Sequence, residues 1–376
     1  MRKLLSLMGL LIAAACQPQT SSNNGDSSQV SETAVDVHGV SNMPTRFYKQ
    51  FKGTIAGQPV TMQLIRSSAN DISGYYVYDK IGEPIKLYSK QDTTGYLVLI
   101  EENYSGESEN ELKGKLESGA YAGNWTSGTK TYPFSLKEDN TGIIEFKLVV
   151  MSDTTKLRPN DPKSPSSSSE VSVLWPIGGA PEETLQMIRD TITKSEKKRF
   201  TDAEAYARTL LNSFNDAYMG DLKDVDTTET GMPSAALQWW SQNNMDVVWN
   251  RYPYLVLENS YYEFTGGAHG NGGSMYTFFD LAKNKSIKPG DVFKPGYESV
   301  VGKALEKAFR KKYGVGDNEE LDKGLLFDKT IKPNDNFYMT DKYVVFSYTP
   351  YEIAAYAAGQ ITLAIPVEEI KSVLNR

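Results

Sequence analysis

Between residues 44 and 150 the chain is written in short runs of alternating apolar and polar residues. "FKGTIAGQPVTMQLIR", "ISGYYVYDKIGEPIKLYSK", "TGYLVLIEE", "ELKGKLESGAYAGNW" and "YPFSLKE" follow one another, punctuated by Gly, Asp-Lys and Ser-Gly turns. A period of two places successive side chains on opposite faces of a strand, and evenly spaced runs of this kind build an antiparallel meander, closed or sandwiched. Ile55, Val60, Met62, Leu64, Tyr76 and Tyr78 are expected on one face, with Thr61, Gln63 and Lys80 toward water. With "GIIEFKLVV" as a last strand, residues 44–151 read as an all-β antiparallel barrel or meander. Such a barrel takes a ligand at its mouth or is filled by its own side chains. Trp125 and the tyrosines read as core or rim residues.

Residues 152–171 carry three prolines and a serine run, the composition of an interdomain linker. From 172 to 376 helical and extended patterns alternate, which indicates an α+β domain with an antiparallel sheet. Pro181 and two glutamates open one helix. Thr201 as N-cap with Glu204 three residues on predicts a capping box for the next. A third helix has Val300, Val301, Ala304, Leu305, Ala308 and Phe309 on one face and stops at Gly314.

The first sixteen residues, "MRKLLSLMGLLIAAAC", read as a lipoprotein signal peptide: Arg2 and Lys3, an apolar run, three small alanines, then Cys16 as the lipidated residue. Residues 17–43 are then a polar, flexible tether, with His38 as a solvated member. The expected localisation is export and lipid anchoring to the cell envelope, at an outer membrane if there is one, since Gln17 and not aspartate follows the cysteine. Cys16 is the only cysteine, so disulfides, zinc–thiolate clusters and cysteine nucleophiles are excluded. Removing Arg2 and Lys3 takes the formal charge from -7 to -9, which argues against nucleic acid as a partner and suits a basic protein.

Residues 261–273, "YYEFTGGAHGNGG", hold His269 among five glycines. A serine-hydrolase reading would enlist Ser260, Ser274 and Asp280, yet no Gly-x-Ser-x-Gly elbow is present. The glycines favour a tight turn in which an imidazole nitrogen ties the backbone together. Paired carboxylates such as Glu101–Glu102 and Glu319–Glu320 read as solvated, and no catalytic residue, metal or cofactor is assigned.

"YEFTGGAHGNGG", then "FFDLAKNKSIKPGDVF", a helix, and "VVFSYTPYEIAAYAAGQITLAIP" together resemble the extracytoplasmic domain shared by the lysozyme-sensing anti-sigma factor RsiV and the N-terminal region of the peptidoglycan deacetylase PdaC. The resemblance covers about residues 172–376 and departs from the pattern at Ala355, where proline is expected. Neither the sigma-binding segment of RsiV nor the deacetylase catalytic domain of PdaC has a counterpart in it, so what it implies is a non-enzymatic binding module. Its implied ligand is a lysozyme-like muramidase or peptidoglycan. The implied contact residues are Tyr348, Pro350, Tyr351, Glu352 and Tyr356, with His269 and Asn271 in the glycine turn beside them. Two alternatives stand next to this: an enzyme acting on cell-wall material through the His269 region, and a structural envelope protein whose barrel carries a ligand.

Overall fold

The strands of the N-terminal half close on themselves. The computed structural model describes residues 39–102, 109–225 and 234–375. Its first strands are β1 (Val40–Ser41), β2 (Phe47–Ile55), β3 (Gln58–Ser68), β4 (Asp71–Tyr78), β5 (Ile85–Lys90), β6 (Leu97–Glu101), β7 (Asn110–Glu117), β8 (Ala120–Ser127) and β9 (Lys130–Glu138). Strands β2 to β9 pair antiparallel in sequence order and β9 returns to β2, an eight-stranded barrel; β1 lies parallel on β7 outside the ring. Full closure leaves no open sheet edge. Gly114 and Gly123 face each other across β7 and β8, and a Cβ on either would sit 2.2 or 2.1 Å from a carbonyl oxygen of the facing strand.

Ile55, Val60, Met62, Leu64 and Tyr76 point into the barrel and are buried with Phe51, Leu87, Leu99, Leu112 and Phe134. The interior is therefore occupied by the protein's own side chains, as an eight-stranded ring is just wide enough to allow. At one end Glu101 accepts hydrogen bonds from Tyr76 Oη (2.5 Å), Trp125 Nε1 (2.6 Å) and Asn110 Nδ2 (2.9 Å). Glu101 is buried and not solvated as its Glu-Glu context suggested. Trp125 is thereby a rim residue, half-exposed and stacked on Tyr132.

A second sheet contains β10 (Glu145–Lys156), β11 (Ser166–Gly178), β12 (Trp239–Arg251), β13 (Tyr254–Phe264), β14 (Asn271–Asp280) and β15 (Lys285–Ser286), in that order. All neighbours are antiparallel except β11 and β12, which run parallel. Two expectations change here. The 152–171 stretch is not a linker: it is the end of β10, a turn and the start of β11, paired without interruption from Phe146 to Lys156. The "GIIEFKLVV" strand belongs to this sheet and not to the barrel. Ser and Pro mark loops on average, but Ser167 and Ser169 alternate inward here, with Ser167 Oγ donating to Asn215 Oδ1 at 2.7 Å.

Helices α1 (Glu182–Ile192) and α2 (Ala203–Leu222) lie between β11 and β12 in the chain and cover one face of the sheet. Leu185, Ile188, Ala207 and Leu211 pack there on Val173, Val247, Leu255 and Phe279. The cap of α2 is Asp202, accepting from Ala205 N at 2.7 Å, one residue later than the expected Thr201. The opposite face carries Val248, Val256 and Phe278. It is covered by α3 (Pro289–Val292), α4 (Glu298–Tyr313), the three-stranded sheet β16 (Phe337–Met339), β17 (Tyr343–Tyr348) and β18 (Ile361–Pro366), and α5 (Val367–Ile370). Helix α4 stops, as expected, at Gly314 in the left-handed region.

The barrel's outer wall docks on the second sheet, and the described residues form one compact unit. Thr61 and Gln63, expected in water, are buried in this seam; Lys80 is exposed. Tyr48 Oη donates to Gln63 and accepts from Asn250, while Arg251 donates to Thr61 Oγ1 and Asp79. Deeper in, Ser73 donates to Asp246 Oδ1 at 2.6 Å, and Tyr75 and Lys86 both donate to Glu258. Burial, reinforced by Glu258, raises the Asp246 carboxyl to about 6. Burial pushes Glu258 the same way, but Lys86 and the hydrogen bonds hold it below its ordinary value.

Candidate functional site

The glycine turn after β13 and the loop between β17 and β18 meet at one end of the molecule. Two side-chain amides join their supports. Gln360 pairs with the Ser274 backbone through both amide atoms, accepting from N at 3.1 Å and donating to O at 3.0 Å. Asn336 does the same for β14 one step along, accepting from Tyr276 N (2.8 Å) and donating to Ser274 O (2.9 Å). Gln360 also donates to Ser347 Oγ at 2.7 Å. Side-chain amides thus continue the edge of the six-stranded sheet into the three-stranded one, satisfying backbone groups that a sheet edge leaves open.

The 349–352 segment is a tight turn, with Glu352 N donating to Thr349 O at 3.0 Å. Pro350 occupies its second position and Tyr351 its third, at φ 72°. This is the type II arrangement, whose third position belongs to glycine or asparagine because a Cβ strains there. A tyrosine is held in it, 55% exposed. Glu352 braces the turn: Oε2 accepts from Thr349 N (2.9 Å) and Oε1 from Asn334 Nδ2 (2.7 Å).

The predicted contact residues separate into two groups. Tyr348 is buried, its hydroxyl donating to Lys332 O at 2.8 Å, and burial raises its phenol far above the ordinary range. It belongs to the core beneath the loop and is not a contact residue. Glu352 is a brace and has both oxygens engaged, one within its own turn and one with Asn334 from the segment before β16, so it does not stand free to address a partner. Tyr351, Tyr356 and His269 do converge. The His269 and Tyr356 rings stack with centroids 4.2 Å apart, and Tyr351 lies 5.5 Å from Tyr356. The Tyr351 hydroxyl is 3.5 Å from His269 Nε2, the outer limit of a hydrogen bond. Pro350 and Asn271 flank the group, Asn271 exposed at the start of β14.

The row of rings extends further than the sequence indicated. Trp240, 41% exposed, stacks on Tyr262 at 4.7 Å. The Tyr262 ring lies against Gly270, where an added Cβ would meet it at 2.5 Å. Burial, with the Tyr262 side chain beside it, raises Tyr356. A shallow groove of about 430 Å³ runs between these strands and the loop, lined by Tyr261, Tyr262, Gly272, Pro350, Tyr356 and Gln360 among others. Trp240 and Tyr262 carried a weak signal, since they fall on opposite sides of a turn and only the Trp240–Phe264 strand register brings them alongside.

No hydrogen bond joins His269 to Ser260, Ser274 or Asp280 among the described residues. Asp280 sits at the far end of β14, bonded to Lys283 N at 3.0 Å. Among the described residues, no group of three or more His, Asp or Glu side chains converges as metal ligands would. No helix among them is long and apolar enough to cross a membrane. Cys16, the tether and His38 lie outside the described residues.

Residues 290–368 match a sequence family described as a protein of unknown function, DUF3298, the family of the RsiV/PdaC-type domain. Comparison with curated proteins gives no match. Among solved structures, a DUF3298 family member from Bacteroides fragilis aligns at TM-score 0.58 and 22% identity, over 63% of this chain and 96% of its own. A DUF3298 family protein from Pseudomonas aeruginosa PAO1 aligns at TM-score 0.41 and 18% identity, over 61% of this chain and 94% of its own. The Bacteroides structure bears out the strand-and-helix fold.

Proposed function

We propose that this chain is a non-enzymatic binding protein of the cell envelope, anchored through a lipidated Cys16, and that the ring surface at Tyr351 is its recognition site. The observation that carries the reading is Tyr351 itself: an exposed aromatic kept at a strained backbone position by a dedicated glutamate brace. Strain of this kind persists where the surroundings enforce it, and it concentrates at binding sites. Tyrosine supplies contact area at low conformational-entropy cost. The acidic balance of the chain, net -7, complements a basic protein, and the RsiV-type resemblance names a lysozyme-like muramidase as the first candidate.

The test is calorimetric titration of the chain into hen-type lysozyme. A 1:1 complex of micromolar affinity or better, weakened at least tenfold (about 1.4 kcal/mol) by Tyr351→Ala, supports the reading. No heat at about 100 micromolar removes lysozyme as ligand. A second reading rests on Trp240 and Tyr262, whose stacked faces suit the sugar rings of peptidoglycan. Binding of glycan fragments that Trp240→Ala abolishes would favour it.

A further inference from the structure

A second concavity, sharing no lining residue with the ring surface, opens where the barrel meets the C-terminal region. Its volume is about 510 Å³, within the range of small-molecule sites. The floor is aromatic: Tyr75, Tyr276 and Tyr338, with the Lys86–Glu258 pair behind them. One lip comes from the barrel, Glu83 to Lys86 and Glu102. The other is the face of α4 that carries Ala304, Lys307, Ala308 and Lys311.

Two features separate this from an incidental crevice. Tyr338 is only 3% exposed, lines the cavity, and its hydroxyl meets no hydrogen-bonding partner among the described residues. The ring is buried while the hydroxyl opens onto the cavity, a donor that no protein group has taken and that a ligand acceptor can meet. The charges are also sorted by lip. Glu83 and Glu102 stand on the barrel side and Lys311 on the helix side, all exposed, and among the described residues no ion pair joins either carboxylate to Lys311. Lys307 is occupied by Glu369 at 2.8 Å and Lys312 donates to Thr362 O at 2.8 Å, so Lys311 is the cation presented. Opposite charges across an apolar, aromatic floor complement a molecule with an ammonium at one end, a carboxylate at the other and an acceptor between.

We propose that this cavity binds a short zwitterionic peptide, its ammonium at Glu83 and Glu102, its carboxylate at Lys311 and a backbone carbonyl on the Tyr338 hydroxyl.

The experiment is calorimetry on the full chain with Cys16→Ser, using the tripeptide Ala-Leu-Ala with free ends, its N-acetylated form, its C-terminal amide and maltotriose. The free tripeptide should bind, and capping either end should weaken it at least fivefold. Glu83→Gln with Glu102→Gln should weaken the free tripeptide at least fivefold and leave the N-acetylated form unchanged. Lys311→Met should do the reverse, sparing only the C-terminal amide. These three positions are exposed, so the variants keep the fold, which a far-UV spectrum checks. Tyr338→Phe should weaken every peptide. Failure of the free tripeptide to bind at millimolar concentration overturns the proposal. So does equal affinity for the capped forms, or a preference for maltotriose.

Discussion

His269 and Tyr356 stack ring on ring, 4.2 Å apart and 20° from parallel, and both donate to the Gly270 carbonyl oxygen at 2.8 Å. One acceptor therefore locks two loops that are separated by more than eighty residues in the chain. With Nδ1–H committed to the carbonyl, Nε2 is left as the acceptor facing Tyr351. The imidazole is a clasp whose outer nitrogen faces the recognition surface.

Relieving the strain at Tyr351 should cost binding and raise stability together. Tyr351→Gly removes the Cβ from a positive-φ position, so the thermal midpoint should rise by the equivalent of about 1 kcal/mol. Affinity for the partner should fall at least tenfold in calorimetry. A lower midpoint would mean that the backbone is not strained there.

Gly270→Ala tests the ring row from beneath. The new methyl would lie 2.5 Å from the Tyr262 ring, which must swing away from Trp240. Tryptophan emission should shift to the red, with a loss of about 1–3 kcal/mol in denaturant unfolding.

The buried carboxylates in the seam make opposite contributions to pH dependence. Asp246 is raised to about 6 in the folded state, so the folded protein holds the proton more tightly. Its contribution is greatest below the ordinary aspartate value and falls as pH rises toward 6. Glu258 is lowered, so its contribution is complete above the ordinary glutamate value and lost as pH falls through its folded value. The two contributions together should therefore peak near pH 4 and decline from there toward pH 6. Asp246→Asn should remove the decline between about pH 4 and 6 and add about 1–3 kcal/mol at neutral pH. Lys86→Met, which strands Glu258, should subtract about 3–5 kcal/mol in the same urea titrations.

At the barrel mouth, Glu101→Leu leaves the Tyr76, Trp125 and Asn110 donors without their acceptor. A loss of about 3 kcal/mol or more is expected in chemical unfolding. Glu102→Leu, exposed next door, should stay within about 0.5 kcal/mol of the parent.

What could be read in the sequence follows from which physical signal each residue carries. Val60, Met62 and Leu64 were legible because alternation alone assigns their side of β3. Thr61 and Gln63 were not, since a polar residue in a hydrogen-bonded seam has the same composition as one in water. Glu101 failed for the same reason: its three donors come from positions 76, 110 and 125. At the site, the motifs named Tyr351, Tyr356 and His269 through the family resemblance, and these three side chains lie side by side in the structure. Tyr348 sits three residues from Tyr351 on the wrong side of the strand's end, and only its burial distinguishes it. The amide bridges of Asn336 and Gln360 have no local signature, because their partners are backbone groups of a distant strand.

The strand pair β10–β11 carries a practical consequence. Cutting the chain at the Ser-Pro stretch would divide the two strands of one hairpin between two fragments. The C-terminal fragment would keep β11 without its antiparallel neighbour, a long unpaired edge rich in Val, Leu and Trp. Such edges recruit strands from other chains. A preparation trimmed to the C-terminal half at that stretch should therefore aggregate, and β10, although it precedes the Ser-Pro stretch, has to travel with that half.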